Sequence, residues 1–185
     1  MRLPVLLLAA AAPICAVELH IQFGALERML TDQVFTQEGR RYVKGDKANK
    51  CNFAYLEKPQ VQSENGKLRI RAKFSGRSSL NMLGQCVGLG DAFDLVISAA
   101  PQYRDGALRL QEVKVASDHK TGYYIRRVCT ALESSLARDF RYPLEEEARK
   151  MLEAPDREVR KFNVPEIRIT GNALVLVVDF ELTIK

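Results

Sequence analysis

Histidine is scarce in this 185-residue chain: there are two, His20 and His119, and neither has a second ligand at metal-binding spacing. That argues against a metal site built on imidazoles, and both read as surface residues. The GxSxG, HExxH and GxxxxGK signatures are also missing, and Gly88-Leu89-Gly90 alone is too short to cradle a phosphate. The longest apolar run, Leu3 to Ala12, is about half the roughly 20 residues needed to cross a bilayer, so it is not a spanning helix. Internal repeats and low-complexity stretches are absent. No aromatic residue interleaves the basic strand Arg69, Arg71 and Lys73, as stacking on nucleic-acid bases would require. Nucleic acid is therefore not an expected partner.

What the N-terminus does hold is an export signal. MRLPVLLLAAAAPICA places one positive charge, Arg2, before the apolar run and small residues near Ala16, which predicts removal of residues 1–16 and a periplasmic or secreted protein. Cys15 is preceded by Ala12, Pro13 and Ile14, whereas a lipid-attachment signal wants a small residue directly before the cysteine. Residues 17–185 are read as a single domain, long enough for one sizeable core. Without Arg2, 27 basic residues stand against 23 acidic ones, a net charge of about +4. That is basic without being extreme.

Three cysteines remain in an oxidising compartment. Cys129 lies on the apolar face of a helical pattern and reads as core. Cys51 and Cys86 sit in polar connections flanked by lysine or glycine and are expected to pair.

Helical spacing of Phe23, Leu26, Met29, Leu30 and Val34 predicts a first helix from Ile21 to Phe35, followed by a loop over Thr36 to Lys50. The period then becomes two. Asn52 to Gln62 leads to an Asn65-Gly66 turn and a return through Leu68, Ile70, Ala72 and Phe74, with Arg69, Arg71 and Lys73 on the other face. A second hairpin is expected from Ala92 to Ala100 and Ala107 to Ser117, turning at Asp105-Gly106, with Gly84 to Gly90 as the link between hairpins. Ile125, Val128, Cys129, Leu132, Leu136 and Phe140 form the apolar stripe of a long amphipathic helix from Gly122 to Phe140. Pro143 then stops that helix and opens another carrying Glu145, Glu146 and Glu147 in its first turn. A last hairpin turns at Thr170-Gly171-Asn172. In its second strand Val175 and Val177 fill the positions between Leu174, Leu176 and Val178, as in a strand covered on both faces or facing a partner.

Such a chain is α+β: a highly curved antiparallel sheet of β-hairpins wrapped around the long helix. This order of elements, carried by Phe23 to Phe35, Ala92 to Ser117 and the helix ending Leu136-Ala137-Arg138-Asp139-Phe140, resembles the tubular lipid-binding (TULIP) superfamily. In particular it is similar to single-module bacterial periplasmic proteins of uncharacterised function. The resemblance implies an apolar groove that accepts acyl chains, with Leu95, Ile97, Leu110, Leu132, Leu136 and Val177 near it, and no cofactor. The chain departs from lipoprotein relatives in lacking a lipid-attachment cysteine.

The expected function is therefore a non-enzymatic carrier for a lipid or other apolar ligand. The alternative is a cell-envelope scaffold with a filled core. Arg69, Arg71 and Lys73, which point the same way, are candidate contacts for an anionic membrane surface. A hydrolase using Asp94 and Asp179 as acid and base is a third reading, against the simpler one that each lies on the wet face of a strand. Titration of thiols in the unfolded mature chain without reductant is expected to find Cys129 alone reactive; three reactive thiols would rule out the Cys51–Cys86 pairing.

Overall fold

A computed structural model describes residues 16–118 and 122–185. The expected signal segment, apart from its last residue, and His119 lie outside them. The chain runs β1 (Val17–Gln22), α1 (Phe23–Gln33), β2 (Arg40–Lys44), β3 (Asn52–Glu64), β4 (Lys67–Met82), β5 (Gln85–Arg104), β6 (Ala107–Ser117), α2 (Tyr123–Asp139), α3 (Leu144–Leu152), β7 (Arg157–Ile169) and β8 (Ala173–Ile184). The strands form two antiparallel sheets, ordered β2-β3-β4-β5-β6 and β1-β8-β7. The fold is α+β, dominated by antiparallel strands, and its sheet is strongly curled.

Period-two patterning accounts for the long strands. Along the inner face of β4, Leu68, Ala72 and Phe74 are buried opposite Ala99, Leu95 and Phe93 of β5, and half-buried Ile70 lies opposite Ile97. Register shifts interrupt the β3–β4 ladder between Glu57 and Gln60 and the β5–β6 ladder between Ser98 and Ala100. Such bulges increase local twist, which lets one sheet curl over its own core.

Two expectations about connections are corrected. The segment Gly84 to Gly90 is not a link between hairpins: β4 and β5 stay paired from Leu68↔Ala99 out to Met82↔Gln85, so two expected hairpins are one continuous meander. Glycine tolerates this ladder because the backbones come close; a Cβ at Gly88 would lie 2.5 Å from the Cα of Ser79. Thr36 to Lys50 is not wholly loop either, since β2 pairs with β3 through Arg41↔Leu56 and Tyr42↔Tyr55. Five residues with three cations show no alternation to read.

The expected first helix is shorter at both ends. Val17 to Gln22 is extended and pairs with β8, and only from Phe23 does the chain turn helical. β8 lies between β1 and β7, and its unbroken apolar run fits the burial of Leu174, Val175 and Leu176, successive residues that take both faces of the strand.

The main core lies between the inner face of the five-stranded sheet and α2, with Phe35 following α1. Ile125, Cys129 and Leu132 of α2 are buried, and Val128, Leu136 and Phe140 are partly so. Each large aliphatic side chain taken out of water contributes about 2 kcal/mol, which holds α2 on the sheet. Burial raises the pKa of the Cys129 thiol, which is free and inert in this setting. A second cluster, with Leu144, Val164, Leu174, Leu176 and Val178, fills the space beneath the three-stranded sheet.

Cys51 and Cys86 form a disulfide with Cα atoms 5.1 Å apart. The cysteines flank β4 from either side: the Ser79 amide donates to the Cys51 carbonyl, and Cys86 sits opposite Asn81 in the β4–β5 ladder. The bond points to an oxidising environment outside the cytoplasm. No helix among the described residues is long and apolar enough to cross a membrane.

Replacing both cysteines by serine removes a link 35 residues apart in sequence and is expected to lower stability by about 4 kcal/mol in urea unfolding. A second expectation concerns alkaline pH. Burial, followed by the nearby Glu145 carboxylate, pushes Tyr103 up to about 12. The folded state thus holds this proton more tightly than the unfolded chain, whose tyrosines titrate near ~10. The stabilisation is full below that value and is lost as pH rises to about 12. Stability of the Tyr103→Phe variant should therefore fall less steeply across this window in urea titrations.

Candidate ligand groove

The curl of the sheet leaves a groove between its inner face, the end of α1, β2 and the C-terminal end of α2. Its volume is about 590 Å³. α1 supplies Leu30 and Val34 on consecutive turns, β4 supplies Ile70, and α2 ends over it with Leu136 and Phe140. Tyr142 closes one side, where its backbone exchanges hydrogen bonds with Leu108 of β6 at 2.9 and 3.0 Å. Burial raises the Tyr142 phenol's pKa, so it stays neutral against the apolar lining.

Most of the charge in the lining is exposed at the mouth, where Arg41, Asp139 and Arg141 stand in water, and Glu147 of α3 also lines the groove, half-buried. Arg138 hydrogen-bonds Asp139 and holds its carboxyl below the usual carboxylate range. A smaller recess of about 70 Å³ shares Leu30, Val34, Ile70, Leu110, Phe140 and Tyr142 with the groove and is closed by Leu68, Leu174 and neighbours. Arg109 borders it, and its Nε is buried with no hydrogen-bond partner among the described residues. An aliphatic trough with a charged mouth holds a chain by exclusion from water and its head by ion pairing.

Of the six residues nominated for a groove, Ile97, Leu110 and Leu136 line this one. Leu132 borders a separate cleft of about 550 Å³ between α2, β2 and the β3–β4 ladder. Leu95 is wholly buried in the core and lines neither space. Val177 lies in the other sheet, half-buried opposite Glu18 and Glu166, because its neighbours Leu176 and Val178 take the face turned to the second core cluster. Leu30, Val34 and Ile70 were visible as apolar members of α1 and β4. What the sequence did not indicate was that the first helix would stand over the sheet. Tyr142 carried no signal at all.

The basic stripe is on the outer face of β4, where acids answer it. Arg69 pairs with Glu64 at 3.5 Å and Arg71 with Asp118 at 2.8 Å, while Lys73 lies opposite Asp94 on β5. Asp94 and Asp179 are in different sheets, and Asp179 accepts a hydrogen bond from Lys161 at 3.0 Å. His20 is exposed beside Glu18. The three glutamates that open α3 are bonded along the helix, Glu145 to Arg149 and Glu146 and Glu147 to Lys150. Among the described residues no group of three His, Cys, Asp or Glu is placed to hold a metal ion.

No family model matches this chain, and no curated protein matches it. Among solved structures, a crystal structure of lipopolysaccharide binding protein is similar at a TM-score of 0.27 and 11% identity over 88% of this chain. The chain spans 46% of that structure's length, and a likeness so weak decides neither fold nor ligand.

Proposed function

We propose that this is a non-enzymatic, extracytoplasmic binding or carrier protein that holds one lipid or other apolar ligand in the groove beneath α1 and the end of α2. The observation that carries the reading is the groove itself: about 590 Å³, within the range of ligand sites, with an aliphatic and aromatic interior and charge at its mouth. Each methylene moved into it from water contributes about 0.8 kcal/mol, so an acyl chain gains affinity without directional contacts. Arg41 and Arg141, balanced in the lining by Asp139 and Glu147, suit a zwitterionic head group. The resemblance of the element order to tubular lipid-binding proteins agrees with this reading. The export signal and the disulfide agree with action in the periplasm or after secretion.

Ile70 lines both the groove and the recess, and it is only partly buried, so a larger side chain there narrows the space without displacing the core. Native mass spectrometry after gentle extraction is expected to find a co-purifying lipid. A fluorescent fatty-acid probe should bind the delipidated protein and lose about tenfold in affinity, or about 1.4 kcal/mol, in Ile70→Trp. No lipid in the spectrum together with unchanged probe binding in the folded variant would overturn the proposal.

A further inference from the structure

The inner face of the β4–β5 ribbon does not stop where the core stops. β3 flanks β4 only as far as Asn52↔Ser78, beyond which β4 and β5 run on as a free hairpin, and the side chains that continue the core-facing rows are Leu80 and Met82 on β4 and Val87 and Leu89 on β5. All four are exposed, Leu80 by 74% and Leu89 by 73%. The opposite face carries Ser79, Asn81 and the Cys51–Cys86 disulfide. The hairpin is thus an amphipathic ribbon whose apolar side is largely exposed to water.

Its turn departs from the other hairpin turns of the chain. Asn65-Gly66 and Asp105-Gly106 use residues that tolerate a left-handed backbone, as two-residue turns favour. Here Leu83 takes that position, with φ +51°, followed by Gly84 at +83°. A leucine is held against its steric preference and is fully exposed. Folding gains nothing from this choice.

The base of the hairpin is cationic. Lys44, Arg77 and Arg127 line the cleft beside Ser78, and Lys50 adjoins the disulfide. None of the four has an ion-pair partner among the described residues, and the acids at this end are Asp46 and Asp91. Tyr123, at the start of α2, lies exposed beneath the Arg127 guanidinium. An apolar tip collared by cations, with a tyrosine at the collar, matches the layers of an anionic bilayer surface. A ribbon two strands wide is narrow against the roughly 800 Å² per partner of a standard protein interface, which disfavours a second copy.

We propose that the distal β4–β5 hairpin docks this protein onto anionic lipid bilayers, with Leu80, Met82, Leu83, Val87 and Leu89 entering the acyl boundary and the cations at its base meeting lipid phosphates. The disulfide and the bond from the Gly84 amide to Asn81 at 3.0 Å hold the ribbon in shape before it arrives, so little ordering accompanies docking. The inference stands apart from the groove, which can fail to bind any ligand while the hairpin still docks.

The chain has no tryptophan, so Leu83→Trp in the disulfide-bonded protein gives a single reporter. With vesicles of phosphatidylcholine and phosphatidylglycerol its emission should shift to the blue and be quenched by acyl-brominated lipid. Phosphatidylcholine alone should have a weaker effect, and Met151→Trp, on α3, should stay in water. Leu83→Asn relieves the turn and should raise the melting temperature while weakening vesicle co-sedimentation about tenfold. Unchanged emission with anionic vesicles, or a shift that grows with protein concentration when no vesicles are present, would overturn the proposal. So would a Leu83→Asn variant that co-sediments as well as the parent.

Discussion

The paired inner face of β4 and β5 is the surface on which the rest of this protein depends. Phe74 packs on Phe93 with ring centroids 5.0 Å apart, and Leu95, fully buried, lies beside them in the same row. Because side chains in a ladder alternate strictly, this one choice of register sends Leu68, Phe74, Phe93, Leu95 and Ile97 inward and Arg69, Arg71 and Lys73 outward. The helices are placed by it. α2 buries Ile125, Cys129 and Leu132 against the sheet, and α1 reaches over it with Leu30 and Val34.

That surface is longer than the elements available to cover it. In the middle, α2 and the sheet close into a packed core. Beyond the last turn of α2 the cover thins, and the groove lies there, with Leu136 and Phe140 on its margin instead of in the core. In the other direction the cover thins past Ser78, and the same alternation that builds the core leaves Leu80, Val87 and Leu89 largely in water. Core, groove and free hairpin are three outcomes of one apolar row, distinguished by what stands over it.

Hairpin turns with strong local chemistry were legible in the sequence. Asn65-Gly66 and Asp105-Gly106 fall at the turns expected of them, as does the break before α3 at Pro143. The turn at Leu83-Gly84 was hidden because leucine gives no turn signal, and the glycines after it suggested a linker instead of a ladder. β1 and β2 were missed for a related reason. Each is short, and a short strand is stabilised by the neighbour it pairs with more than by its own pattern. The pairing of Cys51 with Cys86 was readable by elimination, since Cys129 sat on a helical stripe.

Of the candidate groove residues, half line the space found. Composition and periodicity place a residue on an inner face, but whether that face is packed or hollow depends on how far a helix from elsewhere in the chain extends. The sequence by itself determined the strand and helix patterns, the apolar faces, the disulfide and the strong turns, because each rests on residues close together or on chemistry belonging to a residue type. Only the tertiary structure decided that α1 stands over Ile70, that Leu95 is sealed while Leu136 borders a cavity, and that Leu80 and Leu89 are left uncovered. Those outcomes rest on distances between segments far apart in the chain, and no local pattern encodes them.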